Sequence, residues 1–137
     1  MTAKEYLRQL KYLDNRINAK LLEREQIRTI AEKTTVSLSE KVQTSSGNKM
    51  DDVVVRLVEL EELINKDIDK LVYLKEEAGQ LIDKLVNERY KWALKERYIK
   101  FKSLSWLSDS TGLGVDGVRS LLKRAEKHFN TIYSIHS

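Results

Sequence analysis

The amino-acid sequence predicts an all-α protein, with a long N-terminal helical hairpin (a coiled coil) followed by a small three-helix domain that contains a helix-turn-helix. Three observations support this fold class. Apolar residues recur every three or four positions over most of the 137 residues. The chain has no proline, and three of its five glycines lie within residues 112–117. Its charge also changes near residue 88, so we expect two domains, residues 1–86 and 87–137.

The first predicted helix runs from about Thr2 to Lys33. Apolar side chains recur there at spacings of three to six residues with charged residues between them, which is typical of an amphipathic helix. These side chains are Leu7, Leu10, Leu13, Ile17, Leu21, Ile27 and Ala31. Serine, threonine, glycine and asparagine then favour a loop over about 34–49. Asn48 is the predicted cap of the next helix.

The second predicted helix, residues 50–86, carries the clearest pattern in the chain. Steps of three and four from Leu57 reach nine positions, of which eight are apolar, and this indicates a coiled-coil seam. We interpret the exception, Asp67, as a feature that fixes register rather than as a functional carboxylate. The seam fits a hairpin with the first helix and equally a homo-oligomer, for which we expect a dimer. Its leucines and isoleucine are Leu57, Leu60, Ile64, Leu71, Leu74, Leu81 and Leu85.

The C-terminal part has the capping and turn residues that are typical of a helix-turn-helix. Asn87 is predicted to cap a third helix and Ser103 a short fourth one. Gly112 is predicted to end the fourth helix in the left-handed conformation, and Leu113 to fill the core beside the turn. A fifth helix follows from about Val115, which places its apolar residues on one face. Those residues are Val118, Leu121, Leu122, Ala125, Phe129 and Ile132.

Charge indicates a polyanionic partner for this C-terminal part. Residues 1–88 contain 15 lysines and arginines against 17 aspartates and glutamates, whereas residues 89–137 contain 10 against 4. We expect double-stranded DNA as the partner, with the fifth helix in the major groove and Gly117 allowing close backbone approach. The alternative is an ordinary solvated face of a basic helix. The expected DNA-binding residues are Asp116, Arg119 and Ser120 toward base edges, and Lys102, Ser103, Lys123, Arg124 and Lys127 toward phosphates.

Other classes of function find little support in the sequence. The chain has no cysteine and two histidines, so a disulfide framework, a thiolate site and a zinc site are not expected. No phosphate-binding glycine loop and no nucleophile with a base is present, so we expect neither an enzyme nor a cofactor. No apolar run is long enough for a membrane span, and we expect an intracellular, cytoplasmic protein. Trp92 and Trp106 are interpreted as core or interface residues, and His128 as a surface residue.

Residues 97–125, RYIKFKSLSWLSDSTGLGVDGVRSLLKRA, resemble the fourth conserved region of bacterial sigma factors. They align without a gap on the pattern RY-x4-S-x3-IA-x3-G-x-S-x2-T-V-x-S-x3-RA, and the resemblance covers about a fifth of the chain. Three positions depart from it, since Ser108 stands where alanine is usual, and Gly114 and Gly117 stand where serine and threonine are usual. The matched positions are Arg97, Tyr98, Ser103, Leu107, Gly112, Val118, Ser120, Arg124 and Ala125.

The segments MTAKEYLRQL and VQTSSGNKM resemble parts of a family of small prophage proteins of Gram-positive bacteria. That family is related to ArpU-like phage proteins, which are associated with control of late gene transcription. The resemblance implies a DNA-binding phage or prophage transcription regulator that oligomerises through its coiled coil. The alternative is an interaction protein that docks on RNA polymerase or another protein without binding DNA. A purely structural helical hairpin would leave the basic C-terminal part unexplained.

Overall fold

The computed structural model of the chain describes residues 1–40 and 46–136, with side chains for residues 1–33 and 50–136. The described residues form helices joined by short turns and contain no β-strand, so the all-α prediction is confirmed. The helices are α1 (Ala3–Glu40), α2 (Ser46–Ile82), α3 (Glu88–Leu94), α4 (Leu104–Thr111) and α5 (Val115–His136), and a π-helical turn (Lys95–Ile99) continues α3.

The first helix begins at a reciprocal capping arrangement. The Thr2 hydroxyl accepts a hydrogen bond from the Glu5 backbone N–H at 3.2 Å, and the Glu5 carboxylate accepts one from the Thr2 N–H at 3.3 Å. Two backbone donors that the helix leaves unpaired at its N-terminus are thereby satisfied. The sequence segment T-x-x-E encodes this start.

The predicted loop over 34–49 is largely wrong. α1 continues to Glu40, seven residues beyond the predicted end at Lys33, and α2 begins at Ser46. Asn48 therefore lies within the first turn of α2 rather than before it, and residues 41–45 lie outside the described residues. The physical reason is that this stretch has no proline, while serine and threonine in a helix cost only a few tenths of a kcal/mol each relative to alanine.

The chain divides into two compact units, residues 14–70 and residues 1–13 with 71–137. The sequence-based boundary after residue 86 followed charge and pattern. In the structure, residues 1–13 and 71–86, which were predicted to belong to the hairpin, form one compact unit with the C-terminal helices. Each unit is described separately below.

In the unit of residues 14–70, α1 and α2 pack as an antiparallel pair. Ile17 of α1 and both Leu60 and Ile64 of α2 are buried. Asp67, also buried, accepts hydrogen bonds from the Arg16 guanidinium at 2.9 Å and the Lys20 ammonium at 2.6 Å. The seam on α2 is thus filled by α1 of the same chain. Arg24 and Arg28 pair with Glu61, and Arg56 pairs with Glu23.

In the other unit, the first turns of α1 belong to the core of the C-terminal helices. The Tyr6 ring stacks on Tyr133 of α5, with centroids 4.9 Å apart, and on Phe129 at 6.4 Å. Its hydroxyl donates to Glu77 of α2 at 2.7 Å. Sequence patterns within single helices did not predict this three-helix contact. Other buried residues of this core are Leu7, Leu10, Leu74, Ala78, Leu81, Ile82, Leu85 and Leu94.

Candidate nucleic-acid interface

The helix-turn-helix predicted from the glycines is present as α4, a three-residue turn and α5. Ser103 caps α4, because its hydroxyl accepts from the Trp106 N–H at 3.0 Å. Gly112 has φ of 74°, the left-handed conformation that ends a helix without a penalty only for glycine. Asn87 likewise caps α3 by accepting from the N–H groups of Arg89 and Tyr90. These caps and this turn confirm the local predictions.

α4 and α5 pack around a small apolar core. It contains Val118, Leu121 and Leu122 on the inner face of α5 and Leu107 of α4. Leu113, in the turn, packs against this cluster as predicted. Ala93 completes the buried set, and Tyr90, Trp92 and Leu104 pack at its edge. Packing of this kind fixes which face of α5 points to solvent.

Gly117 serves packing within the chain. A Cβ at this position would lie 3.2 Å from the Leu113 Cβ, closer than side chains normally approach. The expectation that Gly117 leaves room for a partner is therefore wrong, because Leu113 takes that room. Gly114 has no neighbouring atom within 4 Å of a hypothetical Cβ, so its neighbourhood is open.

The outer face of α5 is basic over about two turns. Ser120, Lys123, Arg124 and Lys127 are exposed and line one open depression. The structure therefore brings together four of the eight residues predicted to contact DNA. The guanidinium of Arg124 folds back on the Ser120 carbonyl at 3.4 Å, which leaves its other nitrogens directed to solvent.

The one acidic residue of this part of α5 is turned away by a hydrogen bond. Glu126 is the only carboxylate between residues 117 and 136, and it accepts a hydrogen bond from the Tyr98 hydroxyl. Burial and this hydrogen bond raise the pKa of Tyr98, against the opposing effect of Arg8 and Arg97. Since Tyr98 stays a protonated donor at neutral pH, the Glu126 carboxylate is held beside the π-helical turn.

The first turn of α5 carries an exposed ion pair. Arg119 donates to the Asp116 carboxylate at 3.3 Å, and both side chains are well exposed. An exposed pair of this kind contributes little stability and is readily exchanged for another partner. Asp116 and Arg119, predicted to face base edges, thus contact each other.

Lys102 and Ser103 lie before α4 and are not among the residues that line the α5 depression. The Lys102 ammonium lies 4.8 Å above the Trp106 ring, and Trp106 stacks on Trp92 with centroids 6.1 Å apart. The two tryptophans thus form a contact between α3 and α4. His128, at the surface, packs against Tyr90 at 5.1 Å.

A second basic cluster escaped the sequence analysis. Arg8, Lys11 and Arg97 line one depression of about 250 Å³ together with Tyr98 and Phe101. Arg8 and Arg97 are nearly ninety positions apart in the sequence. Because they belong to no local motif, the sequence pattern could not predict that they come together. Within the described residues no group of three or more metal-ligating side chains is present. In the same residues no helix has the length and apolar composition of a membrane span.

Comparison with known proteins yields one family. No curated protein and no solved structure matches the chain. A family model described as "Protein of unknown function (DUF1492)" matches residues 32–130, which include α2, α3, α4 and most of α5. Because this match spans well over half of its residues, the chain belongs to the DUF1492 family.

Proposed function

We propose that this protein is a DNA-binding transcription regulator of phage or prophage type, with α5 as its recognition helix. The observation that supports the proposal best is the face formed by Ser120, Lys123, Arg124 and Lys127, from which the Glu126 carboxylate is drawn away by Tyr98. A patch of uncompensated cations on the second helix of a helix-turn-helix matches the charge and position of a DNA contact. The resemblance of residues 97–125 to sigma region four implies the same activity.

The proposed contacts between α5 and DNA are of two kinds. Lys123, Arg124 and Lys127 bind phosphates and set the orientation of α5. Arg119, released from Asp116, donates to guanine in the major groove, and Ser120 contacts a base edge or a phosphate. The Ser103 hydroxyl accepts from the Trp106 N–H as a helix cap, and its own O–H is left to donate to a phosphate at the start of α4.

The proposed regulator acts as a dimer, and its interface lies outside the hairpin seam. α1 fills that seam in the unit of residues 14–70, but α2 carries a second stripe there at steps of four and three. Val54, Val58 and Ile68 on this stripe are 52%, 53% and 39% exposed. Exposed aliphatic residues along one face of a helix are typical of a surface that packs against another chain, here a second copy. Glu61 and Asn65 stand between them on the stripe, and Glu61 also pairs with Arg24 and Arg28 of α1.

Fluorescence anisotropy with random-sequence and intergenic prophage duplexes over a salt series tests DNA binding. The variant Lys123→Ala with Lys127→Ala is expected to lower the slope of log affinity against log salt by about 2, since each phosphate contact contributes about 0.9. The matched control is Lys66→Ala with Lys70→Ala, which removes the same charge from exposed positions of α2. Equal losses in both variants would mean that charge alone, without α5, governs binding.

Absence of binding at low salt would reject the DNA proposal and leave docking on RNA polymerase or another protein as the function to test. Light scattering tests the dimer separately, because one chain has a mass of 16.0 kDa. Val54→Lys with Val58→Lys is expected to give monomers, whereas Leu22→Lys, an exposed position on α1, is expected to leave the dimer intact. A wild-type monomer at tens of micromolar would reject dimerisation.

A further inference from the structure

The Glu126 carboxylate lies between two groups that can bind it. On α5, Lys123 precedes it by three residues, and side chains at this spacing are neighbours on a helix surface. From the π-helical turn, the Tyr98 hydroxyl donates a hydrogen bond to Glu126. The structure shows the carboxylate bound to Tyr98, and none of the residues that it describes forms an ion pair with Lys123.

Tyr98 is held in position by the backbone around it. It belongs to the π-helical turn, in which the Lys100 N–H donates to the Lys95 carbonyl, five residues earlier, at 3.0 Å. Arg97, next to Tyr98, donates to the Lys102 carbonyl at 2.8 Å and fixes the end of the turn. Turns of this kind are rare and occur frequently at functional sites. The Tyr98 hydroxyl therefore has a defined position beside α5.

The charges around Tyr98 favour the same position of the carboxylate. Burial and the hydrogen bond to Glu126 raise the pKa of Tyr98, whereas the charges of Arg8 and Arg97 oppose this rise. The tyrosine is therefore a protonated donor at neutral pH. Because Arg8 and Arg97 act on the hydroxyl through their charge, they also attract the carboxylate that is bound to it. Lys123 thus competes with one hydroxyl and two guanidinium groups.

The position of Glu126 decides how many cations α5 presents to a polyanion. Its exposed face, which we call the basic face, carries Lys123, Arg124 and Lys127. All three are free to bind phosphates while the carboxylate lies on Tyr98. An ion pair between Glu126 and Lys123 would leave two of them. Each cation that neutralises a DNA phosphate contributes about 0.9 to the slope of log affinity against log salt.

We propose that Tyr98 is a positioning residue for DNA binding, which withholds the Glu126 carboxylate from Lys123 and so keeps all three cations of the basic face available to phosphates. The inference rests on the function proposed for α5. It extends that function to a residue of the π-helical turn that acts through Glu126 rather than by touching DNA.

Four chains test the proposal by fluorescence anisotropy with a random-sequence duplex: the wild type, Tyr98→Phe, Glu126→Gln and the double variant. Tyr98→Phe keeps the ring and releases the carboxylate, so we expect binding at least twofold weaker at low salt and a salt slope lower by about 1. Adding Glu126→Gln to Tyr98→Phe is expected to restore both, because no carboxylate remains to pair with Lys123. A loss caused by damage to the fold would not be restored in this way.

The matched control is Tyr73→Phe, which removes a hydroxyl bonded to Glu77 at 3.2 Å and lies outside the basic face. Its affinity is expected to equal that of the wild type. Heparin, titrated with the same chains, separates the two proposals. A wild type that binds heparin but not DNA would reject the function proposed for α5, and the comparison of the four chains on heparin would still decide the role of Tyr98.

Two results would overturn that role while DNA binding by α5 stands. One is equal affinity of the wild type and Tyr98→Phe for both polyanions, which would mean that Arg8 and Arg97 hold the carboxylate without the hydroxyl. The other is a loss of affinity that Glu126→Gln does not restore. A wild type that binds neither polyanion would overturn both proposals together.

Discussion

The guanidinium of Arg119 donates to the carboxylate of Asp116, one turn earlier on α5, at 3.3 Å. Two residues that the sequence assigns to base recognition are therefore paired with each other. Because both side chains are well exposed, the pair is easily opened. The negative charge of Asp116 thus offsets that of Arg119 and weakens the attraction of a polyanion to the first turn of α5.

Replacing Asp116 tests this relationship. Asp116→Asn removes one negative charge near the proposed DNA phosphates and releases Arg119. A unit charge about 8 Å from a phosphate in water changes affinity by about twofold, so we expect random-sequence DNA to bind about twofold more tightly. Anisotropy titrations at low salt measure the change. Asp69→Asn, the same charge change at an exposed position of α2, is the control, and an equal gain there would contradict a specific role for Asp116.

The turn between α4 and α5 depends on Gly112. Gly112→Ala places a Cβ on a residue with φ of 74°, and we expect the free energy of unfolding to fall by about 1–2 kcal/mol. Gly114→Ala is the matched control, since both positions have open space around a Cβ but Gly114 lacks the positive φ. Gly114 is the N-cap of α5, where alanine is less favourable than glycine, so we expect a smaller loss of about 0.5 kcal/mol there. Urea denaturation followed by circular dichroism distinguishes the two, and equal effects would show that backbone conformation is not the cause.

The ion pairs of Asp67 are expected to make stability depend on acid pH. Burial alone would raise the pKa of Asp67, but hydrogen bonds from Lys20 and Arg16 outweigh it and hold the pKa below its usual range. The folded state therefore binds the proton less readily than the unfolded chain, whose Asp has a pKa of about 3.9. The stabilisation is present above about pH 4 and is lost as pH falls through the lowered folded pKa.

Asp67→Asn is accordingly expected to cost about 1–2 kcal/mol at pH 7, at the lower end for charged hydrogen bonds because Arg16 is half-exposed. The difference from the wild type should shrink below about pH 4. Denaturant titrations at pH 7 and pH 3 test this, with Asp69→Asn as control. If the difference in free energy of unfolding between wild type and variant is the same at both pH values, the charge of Asp67 does not contribute to stability.

Tyr6 is expected to stabilise the C-terminal helices although it lies near the start of the chain. Tyr6→Phe keeps the ring on Tyr133 and removes the bond to Glu77, so we expect a loss of about 0.5–1.5 kcal/mol. Tyr6→Ala also removes the ring and should cost about 3–5 kcal/mol. Unfolding monitored at Trp92 and Trp106, which both lie in the same unit, measures the effect. Unchanged unfolding of Tyr6→Ala would contradict the shared core.

Burial also bears on the behaviour of Tyr6 in alkali. Burial and the hydrogen bond to Glu77 raise the pKa of its hydroxyl. The folded state therefore holds this proton more tightly than the unfolded chain, whose tyrosines have a pKa of about 10. Its contribution is complete below about pH 10 and declines as pH rises further. Tyr6→Phe should unfold with a weaker dependence on pH above 10 than the wild type, and an equal dependence would assign the alkaline loss to other groups.

The helices and most of their capping residues could be predicted from the amino-acid sequence alone. The heptad spacing on α2 and the caps at Asn87 and Ser103 depend only on residues within a few positions of one another, and so does the left-handed turn at Gly112. Interactions of this range are encoded by neighbouring residue types, which is why pattern predicts them. The face of α5 that carries Lys123 and Lys127 follows from the same periodicity.

Contacts between side chains that are distant in the sequence became apparent from the tertiary structure. α1 fills the seam of α2, Tyr6 joins the core of α5, and Glu126 turns toward Tyr98. The same holds for the convergence of Arg8 and Arg97, from opposite ends of the chain, on one depression. Each of these contacts depends on how whole helices pack against one another, and that choice is made by the sum of many weak apolar contacts, not by any single motif.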